Sequence, residues 1–232
     1  MSNLTEELAN RGSKLCMQIC VNNIKDDFAR DKKSVSRKSR KHLLDDLIGL
    51  GEIKWFSPLT IDNYKEYQLN DISKRFPQYF ELEEIDWSFW PSERQPQWDA
   101  IGTNSESTLI LVEAKAHTSE IEGSGCKATP ESKQIIQESI VAVMGKDPIW
   151  MDKYYQTANR ILFLNKLIEY YGTNRKVLLV FLNFINDTSY IPEDRSKWIV
   201  YINKMKAEHI FPQKLNPFIK YVYMDLWKDM GV

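Results

Sequence analysis

Apolar residues recur along this chain at two spacings, and the change from one to the other separates helices from strands. Leu8, Leu15, Ile19 and Phe28, joined by Cys16, Cys20 and Ile24, make a helical stripe near the N-terminus. Thr5 reads as its cap, with Glu6 and Glu7 in the first turn, where the helix dipole favours acid. Gly12 is a cost inside that helix unless a neighbour packs closely. The polar face carries Arg11, Lys14, Gln18 and Asn22. A second helix is predicted from Val35 or Ser36 to Ile48, stopping at Gly49. Ile53 to Ser57 reads as a short strand ended by Pro58, and Asp62 to Leu69 as a helix. Thr129-Pro130-Glu131 is a helix start, with cap, proline and acid in order. Ile135, Ile136, Ile140, Val143 and Met144 give its buried side, and Gly145 ends it. A longer helix is predicted over Met151 to Tyr171, with Tyr154, Ala158, Ile161 and Ile168 on one face. Val177 to Phe184 is a buried strand, Pro192 to Ala207 an amphipathic helix, and Phe218 to Leu226 a terminal strand.

Period two is clearest between Pro96 and His117. The polar turn Thr103 to Ser107 separates two strand-like runs, which predicts a β-hairpin. In the first run Gln97, Asp99 and Ile101 share a face. In the second, Leu109, Leu111, Glu113, Lys115 and His117 share one. Leu109 to Val112 is apolar on both faces, as in a strand covered on both sides. Such a strand runs into Glu113 and Lys115 only if they have partners or a task, because buried charge is costly. If Asp99 lies beside Glu113, two carboxylates and one ammonium converge. Oxygen donors of that kind suit a hard divalent cation such as Mg²⁺.

Asp99 followed across the turn by Glu113-Ala114-Lys115 resembles the signature of the PD-(D/E)xK nuclease superfamily. The longer string, Phe89-Trp90-Pro91, Gln97-Trp98-Asp99-Ala100 and Leu111 to His117, resembles a narrower group of microbial proteins within it. One departure is that Gln97-Trp98, not proline, precedes the aspartate; Pro96 stands three residues before it. The resemblance implies an α/β class, a restriction-endonuclease-like three-layer α/β/α domain around a central mixed sheet, with the N-terminal helices of residues 4–50 packed on it. It also implies a Mg²⁺- or Mn²⁺-dependent phosphodiesterase acting on nucleic acid, with DNA favoured. Asp99, Glu113 and the Ala114 carbonyl would hold the metal, and Lys115 would orient or help deprotonate the attacking water. Glu66, read as lying on a helix upstream, would be a further ligand or base-side partner, with Glu6 and Glu7 weaker candidates. Gln97, His117, Gln156 and Arg160 would contact substrate or support the ligands; Arg160 could clamp a phosphate. Glu66, His117, Gln156 and Arg160 also have a plain structural reading: a surface glutamate at 66, a satisfied histidine at 117, and a solvated stripe at Gln156, Asn159 and Arg160. The alternative for the whole chain is a non-catalytic nucleic-acid-binding or regulatory protein that keeps this fold.

Composition changes this picture little. The 232 residues are 43% apolar and 27% charged, ordinary for one globular domain. Net charge is −1, so any attraction for phosphate must be local. Arg30, Lys32, Lys33, Arg37, Lys38, Arg40 and Lys41 stand against Asp31 alone. That stretch is either a phosphate-seeking stripe or a solvated helix connection. Cys16, Cys20 and Cys126 make no CxxC pair, which suits buried thiols in a reducing cytoplasm. No signal peptide or membrane span is expected. A homodimer is an option where two strands are cut. Phe76 to Trp90 is rich in aromatics and reads as core rather than as a base-stacking surface, and Glu81, Glu83, Glu84 and Asp86 as a solvated edge. Ser119 to Lys127, with Gly123 and Gly125, reads as a mobile loop without a phosphate-cradling motif.

Overall fold

The computed structural model describes residues 8–24, 39–91, 94–209 and 211–226. Five strands form one sheet in chain order: β1 (Ile53–Ser57), β2 (Ala100–Asn104), β3 (Leu109–Lys115), β4 (Val177–Phe184) and β5 (Ile219–Met224). β1, β2 and β3 are antiparallel neighbours, whereas β3, β4 and β5 run parallel, so the sheet is mixed. The parallel pairs need crossovers. The helices α4 (Pro130–Met144) and α5 (Tyr155–Tyr171) fill the first, and α6 (Arg195–Glu208) the second.

The alternation in β3 puts two cores on two faces. Leu109 and Leu111 join Leu179, α4, α5, α6 and the 76–90 aromatics. Ile110, Val112 and Ala114 join Val180, Leu182, Val222 and the helices α1 (Gly12–Asn22) and α2 (Arg40–Ile48). Helices therefore cover both sheet faces, an α/β domain with the N-terminal helices on one side. No described helix is long and apolar enough to cross a membrane.

The aromatic stretch is core, as expected: Phe80 and Trp90 are buried, and Phe76, Tyr79, Trp87 and Phe89 pack around them. Glu81, Glu83, Glu84 and Asp86 are exposed. Cys16 and Cys20 are buried thiols. Burial raises both, Cys20 to about 12, and Cys20 Sγ lies 3.8 Å from Met224 Sδ.

Several boundaries move. Thr5, Glu6, Glu7 and Phe28 lie outside the described residues, as do residues 30–38 of the basic stretch. α1 begins at Gly12, whose φ of 72° is one that glycine adopts without strain; its N–H donates to Ser189 Oγ at 3.0 Å. Gly12 thus starts the helix rather than weakening its middle. α2 starts after Ser39, whose hydroxyl accepts from the His42 N–H, and ends at Gly49 in the left-handed region. α5 starts later than expected, because Pro148–Met151 forms a separate 3-10 turn capped by Asp147. α6 starts after Asp194, whose carboxylate accepts from Lys197 N–H. The 119–127 segment is pinned: Gly123 N–H donates to Lys153 O at 2.8 Å and Cys126 N–H to Met151 O at 3.0 Å.

The predicted helix over Asp62 to Leu69 does not form. Asn63 and Tyr64 take positive φ angles of 52° and 55°, which no helix tolerates in succession. Tyr67 instead bridges to Trp98, which donates its N–H to Tyr67 O at 3.0 Å, and the helix α3 comes later, at Leu69–Arg75. Glu66 therefore lies outside any helix, just before the Tyr67 bridge.

Candidate functional site

The register of the hairpin builds the site. Ala100 pairs with Val112, so the chain just before β2 runs beside the end of β3. The backbone bends at Asp99, between the bridged Trp98 and Ala100, so Asp99 lies at the mouth of β2 rather than within it. From there Asp99 Oδ2 accepts from the Ala114 N–H at 2.7 Å. Glu113, with 4% of its surface exposed, lies next along β3. Its Oε1 accepts from Lys115 Nζ at 2.6 Å and its Oε2 from Arg160 Nε at 2.5 Å.

Arg160 is turned inward. Its remaining nitrogens donate to the Gln97 carbonyl at 2.6 Å and to Asn159 Oδ1 at 3.3 Å, and its guanidinium lies 4.6 Å over the Trp98 ring. A guanidinium so engaged fixes Glu113. The buried Arg160 also joins α5 to β3 and to the segment that precedes β2.

These partners split the two carboxylates. Burial alone would raise Glu113, but Arg160 and Lys115 outweigh it and hold the group below the ordinary range. Asp99 is pushed up to about 7, by burial first and then by the Glu113 charge. Lys115 and the Ala114 N–H oppose that rise, and Glu66 adds to it. Lys115 is raised: burial works against its charge, but Glu113 and Asp99 more than offset this. Lys115 therefore keeps its proton at neutral pH, and Asp99 is the member that titrates there.

The other expected residues fall around this centre unequally. Glu66 is near enough to act on Asp99 and meets Lys14 of α1, Nζ to Oε1 at 3.5 Å. Gln97 exposes its side chain and contributes its carbonyl. Gln156 is exposed on α5 at a small cavity shared with Glu113, Lys115 and Asn183. His117 lies beyond the end of β3. It pairs with Ser119 Oγ at 2.6 Å and faces Glu120 Oε1 at 3.2 Å, while Glu120 Oε2 accepts from Ala116 N–H. His117 is thus tied to the turn after the strand rather than to Lys115.

Two neighbours were not anticipated. Lys14 stood on the polar face of the first helix with no sign of its partner. Asn183, buried and paired in register with Lys115, carried a signal: it interrupts the apolar run of β4.

The donor set suits a hard cation in type, being carboxylates and a carbonyl without sulfur or imidazole. Among the described residues no three His, Cys, Asp or Glu side chains come together to hold an ion.

The chain was also compared with known proteins. No family model, no curated protein and no solved structure matches it.

Proposed function

We propose that this protein is a metal-dependent phosphodiesterase that cleaves nucleic acid, with DNA favoured, on a restriction-endonuclease-like three-layer fold. The observation that carries the reading is the convergence of Asp99, Glu113 and Lys115 at one end of β3. Strand order, the mixed sheet and helices on both faces agree with that fold.

Asp99, Glu113 and the Ala114 carbonyl would hold Mg²⁺ or Mn²⁺. Such an ion polarises a phosphoryl oxygen and acidifies a bound water. Lys115 remains charged, so its task is to orient the attacking water and offset charge on the phosphate, not to remove a proton. Arg160 acts through Glu113, fixing which way that carboxylate faces. Glu66 tunes Asp99 through space.

The test is cleavage of single- and double-stranded DNA and RNA with Mg²⁺, Mn²⁺ or EDTA, using wild type beside Lys115→Ala and Asp99→Ala. Metal-dependent cutting by the wild type, lost in both folded variants, is the expected result. Cutting retained in both would sink the assignment. One observation favours a second reading, a regulatory or binding protein that keeps the fold: both Glu113 oxygens already have cationic partners. On the regulatory form of that reading, in which Glu113, Lys115 and Asp99 merely pair with one another, a Mg²⁺ or Mn²⁺ titration leaves the melting temperature unchanged.

A further inference from the structure

The loops after β3 and β4 open at the carboxyl ends of two parallel strands, where α/β sheets commonly take their ligands. In the second of these loops Tyr190 is 43% exposed. The His117 ring lies 5.2 Å away, tilted by 47°, and the guanidinium of Arg11 lies 4.3 Å from the Tyr190 ring centroid. His117 is buried and held by Ser119 and Glu120, so it is a firm backing. The Gly12 N–H bonded to Ser189 Oγ ties the tyrosine loop to the start of α1. Along α1, Lys14 reaches Glu66 beside Asp99. β3 ends at Lys115, and His117 two residues on backs Tyr190, so the ring lies at the same end of the sheet as the proposed reacting centre.

We propose that Tyr190, backed by His117 and flanked by Arg11, stacks an unpaired base beside the proposed Asp99–Glu113 centre, so that the substrate is single-stranded nucleic acid. This inference rests on the phosphodiesterase reading. An aromatic face with a cation beside it is how proteins hold unpaired bases without reading sequence. In a duplex the base faces are already stacked and out of reach of this ring. An exposed cation–π contact is weak compared with base stacking, so the base takes the face that Arg11 covers and Arg11 turns to the adjoining phosphate.

Fluorescence anisotropy in EDTA tests this with the full chain, a labelled oligothymidylate and a duplex of equal length. The wild type is expected to bind the single strand more tightly. Tyr190→Ala should weaken single-strand binding about ten-fold, while Tyr190→Phe and Tyr190→Trp stay within about two-fold of wild type. Duplex binding should be the same in all four proteins. Equal single-strand affinity of wild type and Tyr190→Ala, or no preference of the wild type for the single strand, overturns the inference. If that occurs while metal-dependent cleavage is lost in Lys115→Ala, the phosphodiesterase reading stands without it. Binding sensitive to Tyr190 with no cleavage on any substrate keeps the stacking site and sinks the nuclease.

Discussion

Replacing Asp99 by asparagine should make the metal-free protein more stable at pH 8. An ordinary aspartate titrates near 3.8, and in the fold Asp99 is held at about 7. The folded protein therefore binds this proton more tightly than the unfolded chain does. Stability from that proton is fully present below the unfolded value of 3.8 and is lost as pH rises through 7. At 1.36 kcal/mol for each pH unit between the two values, the ionised wild type forgoes about 4 kcal/mol by pH 8. The amide introduced by Asp99→Asn carries no proton to lose, and its carbonyl oxygen can still accept from the Ala114 N–H. The variant's advantage should be small near pH 4, grow to neutrality and then level off. For a chain of this size that corresponds to a melting temperature about 10 °C higher at pH 8.

Urea denaturation in EDTA at several pH values from 4.5 to 8.5 measures it. An advantage independent of pH, or a variant less stable than wild type at pH 8, would refute the reasoning. Saturating Mg²⁺ should reverse the order, because the ion stabilises only a folded protein that binds it, and binding needs the Asp99 carboxylate.

Other outcomes follow from the same contacts. Arg160→Ala leaves Glu113 buried with one cation fewer and should cost about 3–5 kcal/mol of unfolding free energy in denaturant titrations. Arg160→Lys should recover less than half of that, since one ammonium cannot serve both Glu113 and the Gln97 carbonyl. Gly102→Ala would place a methyl 2.7 Å from Ile53 and 2.9 Å from Trp55, next to the β1 backbone. It should destabilise by about 1–3 kcal/mol, read by thermal melting. If the protein cleaves as proposed, its rate at subsaturating Mg²⁺ should rise with pH through about 7, because the ion must displace the Asp99 proton. A rate that falls over that range would count against Asp99 as a ligand.

How legible the fold was depended on how local its cause is. β1 and β3 were readable because strand alternation is written residue by residue, although β3 ends at Lys115, two residues short of the run that reached His117. α4 was readable because Thr129, Pro130 and Gly145 mark both ends. Glu66 was mislaid because two left-handed residues, Asn63 and Tyr64, break a window that otherwise looks helical. Neither carries a glycine's signal. Asp99 was placed in a strand because the isolated Tyr67–Trp98 bridge beside its bend spans thirty-one residues of sequence. Arg160 shows the same limit: its stripe with Gln156 looked solvated, and only the packing of α5 against β3 turns the guanidinium toward Glu113.

The unequal treatment of the two carboxylates bears on their roles. Glu113 takes a hydrogen bond from each of two cations, and its ionisation is settled before any ligand arrives. Asp99 takes one from a backbone amide and faces the Glu113 charge, so its ionisation is left open near neutral pH. Environments that push paired carboxylates apart assign them different tasks. In the proposed reading Glu113 is the fixed member, oriented by Arg160 and Lys115. Asp99 is the member whose charge depends on what enters the crevice. Lys115 belongs with the fixed group, because the same carboxylates that need its charge also keep it charged. Removing it would harm both carboxylates at once, leaving Glu113 with Arg160 alone and raising Asp99 further. For that reason the loss of cleavage in Lys115→Ala should be accompanied by weaker metal binding, whereas a lysine acting only on the attacking water would leave metal affinity unchanged.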